Sequence, residues 1–312
     1  MFIDKLITNI KKLENPTVVG LDPKLEYVPA NIREKAFKVY GSGLEGVAEA
    51  IIQFNKKLID AVYDIVPAVK PQLAYYEMYG FVGIRAFAET CAYARSKELL
   101  VIADAKRNDI GTTAEAYSAA FLGKTPAGDG EHKVFDADAL TVNPYLGYDG
   151  IKPFAEDCKK YGKGIFVLVK TSNKSSGQLQ DIVTQDGKTI YETVGRLVDE
   201  WGRDTVGKNG YSSIGAVVGA TYPEQAKVLR EIMKQAYILV PGYGAQGGTA
   251  KDVVQSFNSD GLGAVVNASR SIMCAWKAER WSGRYSEDTF DGAARAEAIR
   301  MRDEIREALA AR

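Results

Sequence analysis

Histidine is nearly missing from this chain: His132 is the only one in 312 residues. It lies in a segment of Gly, Asp and Lys, so a histidine-based triad or a multi-histidine metal site is not expected. Cysteine is scarce as well. Cys91, Cys158 and Cys274 are odd in number, widely separated and without C-x-x-C spacing. Neither a disulfide framework nor a structural zinc site fits that pattern, and the three read as ordinary, partly buried thiols. Charge of one sign has no surplus, with Lys plus Arg at 40 and Asp plus Glu at 40. General nucleic-acid and membrane-surface binders usually carry a basic excess, so no nucleic-acid or membrane partner is expected. No apolar run reaches the roughly 18 residues of a membrane span. The opening MFIDKLITNIKKLENP spaces Phe2, Ile3, Leu6, Ile7 and Ile10 as an amphipathic helix, interrupted by Asp4, Lys5, Lys11 and Lys12. A signal peptide would need an unbroken apolar core there. A soluble, cytoplasmic protein is the expectation.

What is present is an alternation. Short β-branched runs recur at Thr17–Asp22, Pro67–Lys70, Leu99–Lys106, Ala139–Asn143, Ile165–Thr171, Ile214–Ala220, Tyr237–Pro241 and Ala264–Ala268. Helical patterns intervene, among them Leu44–Tyr63 and Tyr79–Lys97, and a terminal helix is expected from Ser286 onward. Apolar residues make up 46% of the chain, enough for a full core. Continuous apolar strands suit a parallel sheet covered on both faces. Eight strand–helix units in about 250 residues is the count of a TIM (β/α)8 barrel. The fold class is therefore α/β, with residues 1–312 read as one barrel domain; an open doubly wound sheet is the alternative, because strand count alone does not show closure. Two segments exceed ordinary loop length. Residues 123–138 are rich in Gly and charge, and residues 173–189 contain an Asp186-Gly187 turn signal suited to a small hairpin. Both read as insertions in the barrel.

In such a barrel the active site lies at the C-terminal strand ends, so the polar residues there belong together. Those ends supply Asp22, Lys70, Asp104 with Lys106, Thr171 with Ser172, Pro241, and Asn267 with Ser269 and Arg270. The stretch LLVIADAKRNDIGTT carries an apolar strand into D-x-K-x-x-D, Asp104 to Asp109. Asp104 and Lys106 are two apart and face the same way on a strand. An ammonium among carboxylates keeps its proton, which makes a poor nucleophile and a positioned proton donor. A fixed carboxylate could also repel a negative group as it departs. The pattern alone arises by chance in about 6% of chains this long, and a surface ion pair would be worth only about 0–1 kcal/mol. Its place after a buried strand is what gives it weight. Asp109 lies past the strand, before a helix expected from Thr112 or Thr113.

PGYGAQGGTAKD, Pro241 to Asp252, is a second signal. Its glycines let backbone approach an anion, and Thr249 is placed to cap a helix. Arg270 could grip phosphate oxygens in a fork, at the strand seven and eight loops where barrels often bind phosphate. A flexible loop with a solvated arginine is the plainer alternative. Tyr75, Tyr76 and Tyr79 read as core or interface aromatics, Arg107 as solvated, and Glu115 as a residue favoured by the helix dipole.

ADAKRNDIGTT together with VGLDP, VKPQ, VKTSN, VPGYGAQGG and NASR resembles the orotidine 5′-monophosphate decarboxylase family, in its bacterial branch of longer chains. The resemblance runs from the first strand to the eighth. It implies a TIM-barrel homodimer without metal or organic cofactor, which converts orotidine 5′-monophosphate to uridine 5′-monophosphate (UMP) and carbon dioxide. Carried over by position, Asp22 and Lys70 would contact ribose hydroxyls, with Lys70 in the charge network. Asp104 would sit against the departing carboxylate and Lys106 would protonate C6. Asp109, Ile110 and Thr113 would reach into the neighbouring subunit's site. Ser172 would read the pyrimidine, Pro241 would line its pocket, and Gln246 and Arg270 would hold the phosphate. Two alternatives stand beside this. One is a magnesium-dependent sugar-phosphate decarboxylase or aldolase on the same barrel, which shares D-x-K-x-x-D. The other is a non-catalytic binder of phosphate ligands, which would need the loop and Arg270 but not the lysine–aspartate set.

Overall fold

A computed structural model describes residues 1–244 and 247–312 of the chain. Eight strands close into a parallel barrel in sequential order: β1 Thr17–Leu21, β2 Ala68–Pro71, β3 Leu100–Arg107, β4 Ala139–Val142, β5 Gly164–Lys170, β6 Ser212–Val218, β7 Ala236–Pro241 and β8 Ala264–Ala268. Each expected strand is present, with its ends shifted by at most two residues. Closure is made by β1 against β8, with Thr17 opposite Val266 and Val19 opposite Ala268. The sheet is thus a barrel and not an open doubly wound sheet. Helices Leu44–Val62, Gly80–Ser96, Gly111–Phe121, Lys152–Tyr161, Ile190–Gly202, Pro223–Ile232 and Phe290–Ala310 cover its outer face, and Ala30–Tyr40 is an added helix after β1.

The strands read as unbroken apolar runs because both faces are buried. One set of alternating residues packs under the outer helices: Val19, Val69, Val101, Leu140, Val167, Val240 and Val266. The other set fills the barrel interior: Val18, Ala68, Leu100, Ile102, Ala139, Phe166, Val217, Leu239 and Val265. The helix α1 (Phe2–Leu13) joins this second set and stoppers the N-terminal end of the barrel. Its apolar face of Phe2, Ile3, Leu6, Ile7 and Ile10 is wholly buried, and Phe2 meets Phe166 edge to face at 6.1 Å. Each such fully buried side chain contributes about 1.5–3 kcal/mol.

The 123–138 insertion folds back as a two-stranded hairpin, Thr125–Ala127 against Gly130–His132. The 173–189 insertion, where the hairpin was expected, forms a single antiparallel bridge, Val183 to Thr189, around the Gly187 turn. Too few residues separate the two arms there for a ladder, because Thr189 already begins a capping box. Its N–H donates to Glu192 at 2.8 Å and starts the helix Ile190–Gly202. Among the described residues no helix is long and apolar enough to cross a membrane.

Candidate active site

Above the apolar interior, the same faces of the same strands turn polar. Two residues beyond Ala68 stands Lys70, two beyond Ile102 stands Asp104, two beyond Ala139 stands Thr141, and two beyond Val265 stands Asn267. Side chains alternate along a strand, so the layer above an interior residue is filled by the residue two further on. These four residues line a cavity of about 640 Å³ at the C-terminal mouth, with Asp22, Lys106, Ser172, Pro241 and Arg270.

Asp104 is the hub and is only 7% exposed. Its Oδ1 accepts from Lys106 Nζ at 2.5 Å and from Thr141 Oγ1 at 2.9 Å. Its Oδ2 accepts from Lys70 Nζ at 2.7 Å and Gln72 Nε2 at 2.9 Å. Lys70 is 3.8 Å from Asp22 Oδ1. Carboxylate and ammonium therefore alternate along Asp22, Lys70, Asp104 and Lys106, so each buried charge faces its opposite. Burial alone would raise the Asp104 pKa, but Lys70 and Lys106 outweigh it and hold the carboxyl far below its ordinary 3.8. Burial likewise works against the Lys70 ammonium, yet Asp104 and Asp22 raise it above the ordinary 10.5. The Lys106 side chain keeps 44% of its surface open, so a donor sits at the edge of the cavity.

The backbone delivers Lys106 by an irregular path. The pairing of β3 with β4 jumps from Ala103–Leu140 to Arg107–Val142, and within that bulge Lys106 takes φ 51°. A left-handed conformation is unusual for a residue with a Cβ and is tolerated where its surroundings impose it. Thr141 supplies the constraint. Its hydroxyl accepts the Lys106 N–H at 2.9 Å while donating to Asp104.

Seven of the residues that the resemblance places in the site meet here, Asp22, Lys70, Asp104, Lys106, Ser172, Pro241 and Arg270, together with the other expected strand-end residues Thr171, Asn267 and Ser269. Asp109, Ile110 and Thr113 do not line this cavity. They lie at the start of the helix Gly111–Phe121, which begins one or two residues earlier than expected, with Ile110 54% exposed. Gln246 lies outside the described residues. Thr249 does cap its helix, and its N–H and hydroxyl donate to Asp252, but that helix runs only from Ala250 to Val253.

Two readings need correction. Arg107 is not solvated: it pairs with Glu77 and stacks over Tyr117 at 5.3 Å, because the bulge turns it from the mouth onto the helix layer. Of the tyrosines, Tyr76 is core, but Tyr75 lines the cavity. Gln72 and Thr141 were missed. They are uncharged, and only the two-residue offset from Ala68 through Lys70, and from Ala139, marks them. Cys91 and Cys158 are buried and Cys274 is partly so; all three are free thiols.

A closed barrel with an aspartate–lysine chain at its C-terminal mouth, beside a glycine-rich turn and an open arginine, is a (β/α)8 enzyme built around fixed charge. The profile of the "Orotidine 5'-phosphate decarboxylase / HUMPS family" matches residues 18–280, and the chain belongs to that family. It is 45% identical over 276 residues to the orotidine 5′-phosphate decarboxylase of Caldicellulosiruptor saccharolyticus, covering 88% of this chain and 90% of that one. It is also 45% identical over 305 residues to the enzyme of that name from Rhodopirellula baltica, covering 98% and 99%. The solved structure of Leishmania donovani OMP decarboxylase matches with a TM-score of 0.73 at 29% identity, covering 99% of this chain and 98% of that one.

Proposed function

We propose that this chain is an orotidine 5′-monophosphate decarboxylase of de novo pyrimidine biosynthesis, forming UMP and carbon dioxide. The observation that carries the reading is the Lys106 amine at 2.5 Å from a buried Asp104 whose other three hydrogen bonds are already filled. In this reaction the bond from C6 to the carboxylate breaks and its electron pair stays on C6. That carbanion is poorly delocalised, and stabilisation comes from charge placed before the substrate arrives. The Lys106 ammonium faces it and then gives up a proton, so that C6 gains the hydrogen that UMP carries. Asp104 lies against the departing carboxylate, and binding energy gained at the phosphate offsets the cost of bringing two negative groups together.

The remaining roles follow the cavity. Asp22 is held 3.8 Å from Lys70, an ion pair that leaves the carboxylate free to accept from ribose hydroxyls alongside Lys70. Ser172 reads the pyrimidine, Pro241 lines its pocket, and Arg270 with Gln246 holds the phosphate. A volume of about 640 Å³ accommodates a nucleotide monophosphate. Asp109, Ile110 and Thr113 act in the site of a second subunit of a homodimer. Large apolar side chains that stand exposed, Phe81 at 81% and Tyr145 at 76%, are of the kind that an interface would cover. The reaction needs no metal or organic cofactor, and the enzyme works in the cytoplasm.

The test is incubation of the purified protein with orotidine 5′-monophosphate, with and without exhaustive chelation, following the ultraviolet absorbance of the orotate ring. Equal loss of absorbance in both is expected. Activity abolished by chelation would favour the magnesium-dependent sugar-phosphate reading. Tight UMP binding without turnover would favour a binder.

A further inference from the structure

Lys170 is a charged strand end that the mouth does not use. Period two along β5 places Phe166 and Leu168 on the interior face, so Lys170 should follow them into the cavity. A shift in the pairing of β5 with β6, from Leu168–Val217 to Lys170–Val218, rotates it away. Its side chain is fully buried outside the cavity. There Nζ meets Asp181 Oδ1 at 2.6 Å and Ser176 Oγ at 3.3 Å, and lies 4.5 Å over the Tyr222 ring. Both polar partners belong to the 173–189 insertion.

The neighbouring residue of the insertion grips the strand end itself. Gln180 Oε1 accepts the Thr171 N–H at 3.0 Å, and Gln180 Nε2 donates to Thr171 Oγ1 at 2.8 Å. From the opposite side, Thr221 Oγ1 donates to the Ser172 carbonyl at 3.2 Å and Tyr222 Oη donates to the Asn173 carbonyl at 3.2 Å. Gly219 completes the vice, because a Cβ there would stand 2.8 Å from Ser172 Cα, Cβ and N. The three residues that turn toward the base are therefore set between two fixed jaws. One jaw is the β6 loop; the other is the insertion, fastened to the barrel by the pairing of the buried Lys170 with the exposed Asp181.

We propose that the 173–189 insertion is part of base recognition, with Gln180 and Asp181 as positioning residues that fix Ser172 through Thr171 and Lys170. The proposal rests on the decarboxylase reading of the cavity and adds a role for the insertion. Neither residue touches the substrate. Both act only on the part of the ligand that Ser172 meets, so their effect should be seen with a base and vanish without one.

The experiment compares the binding of UMP and ribose 5-phosphate to wild type, Gln180→Ala, Asp181→Ala and Asp181→Asn, with KM and kcat for orotidine 5′-monophosphate. Gln180→Ala removes two hydrogen bonds and should weaken UMP about tenfold while leaving ribose 5-phosphate unchanged. Asp181→Asn, which keeps an acceptor for Lys170, should fall between wild type and Asp181→Ala. In a Ser172→Ala background, Gln180→Ala should add no further loss. Unchanged UMP binding in Gln180→Ala, equal weakening of both ligands, or full additivity with Ser172→Ala would each overturn the proposal. If Asp181→Ala does not fold, Gln180→Ala, which leaves the Lys170–Asp181 pair in place and removes only the two hydrogen bonds to Thr171, still decides it. A wild type that neither binds UMP nor consumes the orotate nucleotide would bring down the decarboxylase reading itself, and this one with it.

Discussion

The two ends of the barrel are made by the same strands and differ in everything but register. Toward the N-terminal end, Val18, Ala68, Ile102, Ala139 and Val265 close around the apolar face of α1. Two residues further along those strands stand Gly20, Lys70, Asp104, Thr141 and Asn267. That step is about 6.6 Å, one repeat of a pleated strand. Over this distance the barrel passes from a layer whose worth is burial to one whose worth is charge. The lower layer supplies the rigidity that lets the upper one hold four ionised groups in fixed alternation. An unpaired buried ion would be expelled or neutralised, whereas these are paired in sequence.

That contrast can be broken most forcefully at Asp104. Asp104→Ala leaves Lys70, only 3% exposed, with Asp22 at 3.8 Å as its remaining partner. A stability loss of about 3–5 kcal/mol by urea denaturation is expected, with loss of turnover. The pH dependence sharpens the point. The Asp104 pKa is depressed, so its stabilisation is full above the ordinary 3.8 and is lost only as pH falls toward the far lower folded value. The Lys70 pKa is raised, so its share is full below 10.5 and lost as pH rises beyond it. The gap between wild type and variant should stay constant from about pH 5 to about pH 9 and narrow at both extremes. A gap that closes near neutrality would mean the pair is not what stabilises the mouth.

Lys106→Ala is the next largest expected effect and separates chemistry from folding. Turnover should fall about a thousandfold with the melting temperature nearly kept, since the side chain is 44% open. Near-normal turnover would remove Lys106 from the proton-donor role. Leu6→Ala reverses the pattern at the other end. It should cost about 2–5 kcal/mol of stability by leaving a cavity under the barrel floor, while kcat at a temperature where the variant is folded stays within about twofold. A large fall in kcat with little loss of stability would show that the layers are not separable. Thr141→Val is the smallest and tests the join. It preserves shape and removes the hydroxyl that accepts from Lys106 N–H and donates to Asp104, so a stability loss of about 1–3 kcal/mol and a fall in kcat of about tenfold are expected.

How much of this was legible in the sequence follows from the same physics. The eight strands were readable because burial on both faces demands continuous apolar runs, and Asp22, Lys70, Asp104 and Lys106 were readable because a charge ending such a run has few reasons to be there. Gln72 and Thr141 were not read, since uncharged polar residues at strand ends are common. The bulges at Lys106 and Lys170 were invisible, because a one-residue slip in pairing leaves no mark in composition. That slip also misled the reading of Arg107, which alternation and charge placed in solvent. The small hairpin expected in residues 173–189 is present only as the single bridge Val183 to Thr189, because the Asp186-Gly187 turn is genuine but its arms are consumed by the cap of the following helix, and the hairpin in residues 123–138 was not read.

The stopper formed by α1 makes the barrel a vessel with one door. Under the proposed chemistry carbon dioxide is released beside the buried Asp104. With the floor sealed by Phe2, Leu6 and Phe166, both products share the route by which substrate came in. Departure of the small molecule is thereby tied to how the larger one shifts in the opening, and traffic through that single entrance becomes a natural ceiling on the speed of the cycle.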